Sequence, residues 1–215
     1  NGKTAGIVSP FHTNESNFLL GLMMNGVLGS LPPITKKEIT YQSGFRISAD
    51  RSPNRRGMNN ICGEIVADLP SEIKAQAIHG LYILDDGVDR ESDDVWKEIL
   101  AKMDFVVVQT YAMTALARSA NIILPGLAPF EREGTITNDR DRVQWLRSSL
   151  PKKGESRADW EILMMVMKAL DKEEQTFADV GQVIKVMGEK FPAYKGLSFF
   201  RLGPHGMSLN GKASG

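Results

Sequence analysis

Short apolar runs that alternate with amphipathic segments constrain the fold of this chain more than any other feature of its sequence. The runs at residues 4–8, 81–84, 105–108 and 122–124 are rich in aliphatic residues, and each is closed by a polar residue or a proline. Between them lie segments whose apolar residues recur at helical spacing. Continuous apolar strands separated by amphipathic helices predict an α/β fold, with a mostly parallel sheet covered by helices on both faces.

The polar residues that close these runs are the first candidates for a functional site. Right-handed crossovers place the carboxyl ends of parallel strands along one edge of a sheet, and open α/β sheets bind ligands at that edge. We therefore predict that one edge carries the residues that end the runs, namely Ser9, Asp85, Asp86, Gln109, Thr110 and Pro125.

Length and composition predict the domain organisation. The chain has 215 residues, of which 42% are hydrophobic, and this is enough to bury a sizeable core. We predict an α/β domain over residues 1–150 and a C-terminal helical appendage over residues 151–202, with helices that begin near Ser156 and Thr176. Residues 203–215 are rich in Gly and Ser, which predicts a disordered tail.

Charge, hydropathy and cysteine content exclude several classes of function. The formal net charge is zero, which argues against nucleic acid as a partner, and no apolar run is long enough for direct membrane insertion. The single cysteine, Cys62, cannot form an internal disulfide, so a cytoplasmic location is expected, with any membrane association made through a complex. Without a Cys-x-x-Cys pair, this stretch does not hold an iron–sulfur cluster by itself. Its start at Asn1, without Met, indicates a piece of a longer protein.

The stretch from residue 121 to residue 144 carries the most specific motif. Asn121 is followed by three aliphatic residues and Pro125, and an ordered spacing continues downstream at Glu131, Gly134, Thr135, Asn138, Arg142, Val143 and Gln144. This resembles the pattern of the molybdopterin oxidoreductase superfamily, usually written A-D-V-V-L-P and then E-x-x-G-T-x-x-N-x-E-G-R-V-Q. Residues 159–163 resemble the Asp-Trp-x-Ile-Leu helix of the same family. The resemblance implies a Rossmann-like sheet and, in catalytic members, edge loops that hold the guanine nucleotide and pyrophosphate of a pterin cofactor.

Several polar positions of the family pattern are replaced in this chain. The family's Glu and Thr at the start of one helix are replaced by Ala115 and Leu116, and its Asp before the aliphatic run by Asn121. After residues 81–84 the family commonly has Gly-x-Asn-Pro, whereas this chain has Asp85 and Asp86, whose carboxylates would repel a pyrophosphate. This chain keeps the structural motif of the family while its polar positions are changed. In this it resembles the C-terminal part of the G subunit of NADH:quinone oxidoreductase, in the electron-input arm of respiratory complex I.

Two hypotheses of function follow from the resemblance. In the first, the chain is a scaffold domain of the G subunit of an NADH:quinone oxidoreductase, with no cofactor and no catalysis in this fragment. Iron–sulfur clusters are then expected in the missing N-terminal part, and the partners are the remainder of the chain and other subunits of an electron-transfer complex. In the second, it binds molybdopterin guanine dinucleotide in an active molybdenum or tungsten oxidoreductase such as a formate dehydrogenase. The cofactor-binding residues, vestigial under the first hypothesis, would be Asp85, Asp86, Gln109, Thr110, Asn138 and Arg142.

Other charged or reactive side chains have simpler interpretations. The acidic residues between 85 and 94 lack EF-hand spacing and are expected to form a solvated loop and a helix start. The arginines between 132 and 147 either clamp a phosphate or pair with the acidic residues interleaved among them. His12, His79 and His205 are expected at the surface or at helix ends, and no metal site is predicted. Cys62 is expected to be a small core residue.

Overall fold

The computed structural model describes residues 3–24, 27–28, 39–40, 46–47, 52–64, 68–88, 94–170 and 176–209 of the chain. Its strands are β1 (Lys3–Ile7), β2 (Val27–Leu28), β3 (Ile39–Thr40), β4 (Arg46–Ile47), β5 (Ile78–Leu84), β6 (Phe105–Thr110), β7 (Ile122–Pro125), β8 (Gly134–Thr137), β9 (Arg142–Leu146) and β10 (Met207–Ser208). Its helices are α1 (Asn14–Met23), α2 (Arg55–Cys62), α3 (Leu69–Ala75), α4 (Asp94–Leu100), α5 (Ala115–Arg118), α6 (Asp159–Ala169), α7 (Val180–Lys190) and α8 (Phe199–Leu202), with a 3-10 turn at Pro192–Tyr194. Among the described residues, no helix is both long and apolar enough to cross a membrane.

The central element is a parallel sheet of five strands in the order β2-β1-β5-β6-β7. Ile83 of β5 lies opposite Ile7 of β1 and Val108 of β6, and Ile123 of β7 continues the same row. Because all these pairings are parallel, the carboxyl ends of the strands meet at one edge. The predicted α/β fold, with a Rossmann-like parallel sheet, is confirmed.

Helices cover both faces of this sheet, because successive side chains of a strand point to opposite sides. On one face, Tyr82 and Leu84 of β5 join a core built largely from α1, α6 and α7. On the other face, Leu81 and Ile83 join a core formed with α3, α4 and α5. Burial from two sides explains why the strand sequences are continuously apolar rather than alternating.

The predicted C-terminal helices share a core with the sheet. Leu163 of α6 and Val183 and Ile184 of α7 are buried in the same cluster as Leu19 of α1, and both helices contact α1 directly. Burying each of these side chains stabilises the fold by roughly 1.5–3 kcal/mol. The predicted domain boundary after residue 150 stays a prediction.

Side-chain caps fix the starts of the helices that follow the sheet strands. The Thr13 side chain accepts a hydrogen bond from Ser16 N at the start of α1, and Thr114 caps α5 in the same way. A cap of this kind contributes about 1 kcal/mol. Because α1 follows β1 and α5 follows β6, both helix N-termini lie at the carboxyl edge of the sheet.

A second, antiparallel sheet in the order β10-β9-β8 lies where the sequence predicted loop and tail. Residues 131–144, interpreted from sequence as a turn within a crossover loop, contain β8 and the start of β9, in which Thr135 lies opposite Trp145. The predicted disorder is wrong for residues 203–209, because Met207 pairs with Val143 and adds a third strand. Residues 210–215 lie outside the described residues. Strands of two to five residues give too little alternation for the sequence pattern to reveal them.

Several element boundaries also differ from the predicted ones. β5 begins at Ile78, before the apolar run at residues 81–84, so His79 and Gly80 belong to the strand. Ala77, just before the strand, is an exposed turn residue with a φ of 52°. Both C-terminal helices begin later than predicted, at Asp159 and Val180. The acidic residues between 89 and 93 fall outside the described residues.

Candidate functional site

Four of the predicted site residues lie together at the carboxyl edge of the parallel sheet. Asp85 and Asp86 follow β5, and Gln109 and Thr110 are the last two residues of β6. Asp85 N donates a hydrogen bond of 3.0 Å to Gln109 O and so joins the two strand ends. All four residues are buried. Their proximity agrees with the parallel pairing of the strands, while their role in binding stays a prediction.

The other two predicted site residues, Asn138 and Arg142, belong to the turn and second strand of the β8–β9 hairpin. Asn138 Oδ1 accepts from Arg140 N and Arg142 N, each at 3.0 Å, and its Nδ2 donates to Gln144 at 3.3 Å. Arg142 Nη1 donates to the main-chain oxygen of His205 at 2.9 Å. These bonds shape the hairpin and hold the C-terminal strand. The hydrogen bonds recorded for the described residues do not connect this pair to the four at the sheet edge.

The polar groups at the sheet edge are organised around Asp159, the first residue of α6. His12 Nδ1 lies 3.0 Å from Asp159 Oδ2, and Ser16 Oγ donates to the same oxygen at 3.4 Å. Gln109 Nε2 donates to the other carboxylate oxygen, Oδ1, at 2.7 Å. Arg132 Nη1 lies 3.9 Å from Oδ2. We call these five residues the Asp159 cluster.

Asp159 is a buried carboxylate surrounded by positive charge. Burial alone would raise the pKa of its carboxyl, but the Arg132 guanidinium, His12 and the hydrogen bond from Gln109 together hold that pKa below its ordinary value. His12 Nε2 lies 2.9 Å from the main-chain oxygen of Asp85, so both of its ring nitrogens face oxygen acceptors. The imidazole is therefore held between Asp159 and the end of β5 by both of its ring nitrogens.

Gln109 and Thr110 are occupied by contacts within the chain. Gln109 Oε1 accepts a hydrogen bond of 2.5 Å from the Tyr82 hydroxyl, while its Nε2 is held by Asp159. Thr110 Oγ1 donates to Ala112 O at 3.1 Å and accepts from Ala112 N at 3.2 Å. Direct binding of a ligand by these two side chains is disfavoured, because it would have to replace bonds that already exist.

Asp85 has the opposite surroundings. Its Oδ2 accepts a hydrogen bond of 2.9 Å from Thr114 Oγ1, whereas its buried Oδ1 has no hydrogen-bond partner in the part of the chain that the structure describes. Burial raises the pKa of its carboxyl, and the neighbouring Asp86 adds to this. The Thr114 hydroxyl opposes the shift, as do the nearby Thr110 hydroxyl and Gly87 N–H, which do not reach hydrogen-bonding geometry.

Tyr111, in the loop after β6, lies beside Asp86 and Gly87. Its hydroxyl donates a hydrogen bond of 3.1 Å to the main-chain oxygen of Asp86. Its ring fills the space next to Gly87, where an added Cβ would lie 2.4 Å from Tyr111 Cζ. The side chain is nevertheless 39% exposed. We call Asp85, Asp86, Gly87, Tyr111 and Thr114 the Asp85 corner.

Comparisons with known proteins assign the family. Residues 38–169, more than half of the chain, match the molybdopterin oxidoreductase family. The chain belongs to this family. The family resemblance predicted from residues 121–144 is therefore confirmed. The matched residues include the whole Asp85 corner and, in the Asp159 cluster, all members except His12 and Ser16.

The relatives of this molybdopterin oxidoreductase family member include formate dehydrogenases. It is 32% identical over 112 residues to the F420-dependent formate dehydrogenase 2 subunit alpha of Methanococcus maripaludis, covering 52% of this chain and 17% of that protein. It is 29% identical over 122 residues to a putative formate dehydrogenase of Staphylococcus haemolyticus, covering 57% of this chain and 12% of the relative. The chain thus spans less than a fifth of the length of these curated relatives. These matches support the family and do not support the narrower resemblance to the G subunit of NADH:quinone oxidoreductase.

A solved structure of a further protein resembles this chain. Acetylene hydratase from Pelobacter acetylenicus matches with a TM-score of 0.49 and 15% sequence identity, over 72% of this chain and 22% of the hydratase.

The Gly-Thr motif that resembles the molybdopterin oxidoreductase pattern has a structural role here. Thr135 donates from its N and Oγ1 to the buried Glu15 carboxylate, at 2.8 and 2.6 Å. A side chain at Gly134 would prevent this approach, because an added Cβ would lie 2.6 Å from Glu15 Oε2. Two residues on, Thr137 N donates to Asn54 Oδ1 at 2.7 Å. The motif therefore ties the hairpin to the starts of α1 and α2.

Two charged residues of the hairpin segment pair with groups outside it. Arg132 is buried against Asp159, and Asp141 pairs with Arg56 at 3.1 Å. Of the two alternatives for the arginines between 132 and 147, pairing with the interleaved acidic residues does not describe these contacts. The cause is tertiary: the segment packs against α2 and α6, and these elements supply the partners.

The histidines and the cysteine have structural surroundings. His12 is buried and directly precedes the cap of α1, whereas His79 and His205 are exposed. Cys62 packs against the core, its thiol donates to Asn17 O at 3.6 Å, and burial raises the pKa of the thiol to about 12. Among the residues that the structure describes, no group of three His, Cys, Asp or Glu side chains could hold a metal ion.

Sequence reasoning did not single out His12, Arg132, Asp159 or Tyr111 as site residues. The His12–Asp159 contact joins residues 147 positions apart, beyond the reach of any local pattern. The available signals were the family-like helix that begins at Asp159 and the position of His12 just before a helix cap. Both signals indicate local structure, and neither indicates that the two side chains meet.

Proposed function

We propose that this chain is the guanine-nucleotide-binding domain of a formate-dehydrogenase-like molybdopterin oxidoreductase. The observation that carries the proposal is the buried Asp85 Oδ1, which has no hydrogen-bond partner among the described residues and lies at the ligand-binding edge of the sheet. A buried unsatisfied polar atom costs roughly 1–3 kcal/mol, so a ligand that donates to it would recover stability. The names of the relatives favour a formate dehydrogenase over other members of the family.

The donor and acceptor chemistry of the Asp85 corner fits one end of molybdopterin guanine dinucleotide. Asp85 and Asp86 accept hydrogen bonds, and guanine N–H groups and ribose hydroxyls donate them. The corner does not fit the pyrophosphate, because the neighbouring carboxylates of Asp85 and Asp86 repel an anion. The bound cofactor would supply the redox-active molybdenum or tungsten centre, while the residues here would bind and orient its nucleotide end.

The proposed assignment narrows the predicted site. Asp85 would accept from the base, and Asp86 would contribute charge beside it. Gln109 would act by holding Asp159, and Asn138 and Arg142 by shaping the hairpin. The parent protein would be an oxidoreductase that works with the remainder of its own chain, where iron–sulfur clusters are expected, and with an electron-transfer partner in the cytoplasm.

A cofactor analysis of the full-length native protein tests the proposal. Molybdenum and tungsten would be measured by elemental analysis, and pterin by fluorescence after acid oxidation. We expect near-stoichiometric metal and pterin in the unaltered protein, and a loss of most of both in Asp85→Ala. Asp104→Ala is the matched control, because Asp104 directly precedes β6 at the amino end of the strand and its side chain is 82% exposed. Equal cofactor in Asp85→Ala and the unaltered protein would overturn the proposal.

A second candidate function rests on the Asp159 cluster. Arg132 and His12 of that cluster are both paired with Asp159 rather than turned to a ligand. This favours a scaffold domain without cofactor, as in the G subunit of an NADH:quinone oxidoreductase. The same measurement separates the two, because a preparation that retains its iron but contains neither pterin nor molybdenum or tungsten would support the scaffold.

A further inference from the structure

We propose that Tyr111 is a specificity-determining residue of the Asp85 corner, and that its ring provides the stacking face for the planar base whose N–H groups bind Asp85. The inference rests on the proposed function and adds to it a residue and a chemical preference. It concerns a side chain that neither the family motif nor the predicted site contains.

The first support is the position of the ring. Tyr111 follows Thr110, the last residue of β6, and its hydroxyl bonds to the main-chain oxygen of Asp86 at 3.1 Å. The ring is therefore held beside the residue that follows Asp85. Burial raises the pKa of the Tyr111 hydroxyl, and Arg132, Asp86 and Asp85 also influence that pKa.

The second support is the space left for the ring by Gly87. An added Cβ at Gly87 would lie 2.4 Å from Tyr111 Cζ and 2.5 Å from Cε1, so any side chain there would displace the ring. Gly87 also has a φ of 72°, a conformation that residues with side chains rarely adopt. Glycine in the turn after β5 thus leaves the room in which the aromatic ring packs beside the turn.

The third support is the exposure of the ring. A tyrosine that served only as packing would be expected in the core, yet Tyr111 is 39% exposed, and the nearby Met113 is 58% exposed. The hydroxyl is tethered while a large part of the ring remains accessible. A tethered, accessible aromatic ring next to a buried acceptor suits a flat ligand that stacks and donates at once.

The preferred ligand follows from the fact that the Asp85 carboxylate accepts hydrogen bonds and does not donate them. The acceptor is a buried carboxylate whose Oδ1 has no hydrogen-bond partner among the described residues, so the base must present N–H donors toward it. Guanine presents an N–H and an amino group side by side, which match two carboxylate oxygens. Adenine lacks the ring N–H at that edge and would bind more weakly.

Equilibrium dialysis of the full-length chain, prepared without its cofactor, tests the inference with guanosine 5′-monophosphate and adenosine 5′-monophosphate as probes. Tyr111→Leu keeps an apolar side chain but removes the aromatic face, and we expect it to weaken guanosine monophosphate binding about tenfold. Tyr111→Phe keeps the face and removes the hydrogen bond to Asp86, and its affinity should stay within about threefold of the unaltered chain. Met113→Leu is the control in the same loop and should bind normally.

The outcomes separate this inference from the proposed function. If the unaltered chain prefers guanosine monophosphate and Tyr111→Leu binds it equally well, the stacking role is wrong and the proposed function stands. If the unaltered chain binds neither nucleotide, the proposed function fails and the inference fails with it. Thermal unfolding of each variant checks that it is folded. Should Tyr111→Leu not fold, Gly87→Ala, which displaces the ring without removing it, is expected to give the same loss and replaces it in the comparison.

Discussion

The Asp159 cluster and the Asp85 corner hold two buried carboxylates at the same sheet edge in opposite surroundings. Asp159 receives hydrogen bonds on both oxygens and faces His12 and Arg132, and its pKa is held low despite its burial. Asp85 receives one hydrogen bond, from Thr114, and burial raises its pKa. Both carboxylates are buried, so the opposite directions of their pKa shifts come from the charges and hydrogen-bond donors around each of them. A carboxylate whose partners lie inside the chain serves the fold, and one that lacks partners is the better candidate for a ligand contact.

Removal of the Asp159 charge should have the largest effect. Asp159→Asn leaves the buried Arg132 without its counter-ion and His12 without its carboxylate partner, so we expect the free energy of unfolding to fall by roughly 3–5 kcal/mol, measured by urea denaturation at neutral pH. The control is Asp104→Asn, which removes an exposed carboxylate 3.5 Å from His79 and should change stability by about 0.5 kcal/mol or less. A loss below about 1 kcal/mol in Asp159→Asn would show that the cluster is not a structural ion pair.

Acid titration of stability should separate the same two carboxylates. Because the folded-state pKa of Asp159 is depressed, its contribution is complete above the ordinary carboxyl value of 3.8 and is lost as the pH falls through the folded pKa. Unfolding free energies measured from pH 6 downward should therefore decline more steeply in the unaltered chain than in Asp159→Asn. Parallel curves would mean that this carboxylate has the same proton affinity in the folded and unfolded states.

Loss of the Thr114 hydroxyl should have an intermediate effect. Its Oγ1 donates to Asp85 and also accepts from Ala117 N as the cap of α5. Thr114→Val removes both bonds at nearly constant volume, and we expect a loss of about 2 kcal/mol in thermal or urea unfolding. Thr114→Ser keeps the hydroxyl and should lie within about 0.5 kcal/mol of the unaltered chain. A Thr114→Val variant as stable as the unaltered chain would show that neither bond of the hydroxyl contributes to stability.

Neutralisation of Asp85 should have the smallest effect and the opposite sign. Its raised pKa means that its favourable contribution is present below the ordinary value of 3.8 and is lost as the pH rises through the folded pKa. Asp85→Asn cannot ionise and so does not lose this contribution as the pH rises. At neutral pH we therefore expect the unfolding free energy to increase by about 1 kcal/mol, and to depend less on pH than in the unaltered chain. A destabilised Asp85→Asn variant would mean that Asp85, like Asp159, is satisfied within the chain.

Much of the parallel sheet could be predicted from the sequence, because each of its longer strands is buried on both faces. Val106 and Val108 face one core and Val107 the other, so the run has no polar interruption until the strand reaches the edge. The same logic predicted that Asp85 and Gln109 would lie close together. The hairpin could not be predicted in this way. Thr135 and Thr137 are buried polar residues that bond to Glu15 and Asn54, so their strand has no apolar face to detect.

The sequence by itself determined the fold class and the edge at which polar residues gather, because both follow from local hydrophobic patterns and from the handedness of parallel connections. It also determined the family, because the spacing from Asn121 to Gln144 is local. Only the tertiary structure decided the state of each carboxylate. The pKa of a buried acid depends on charges and donors within a few ångströms, and for Asp159 these come from His12, Gln109 and Arg132, which are distant in sequence.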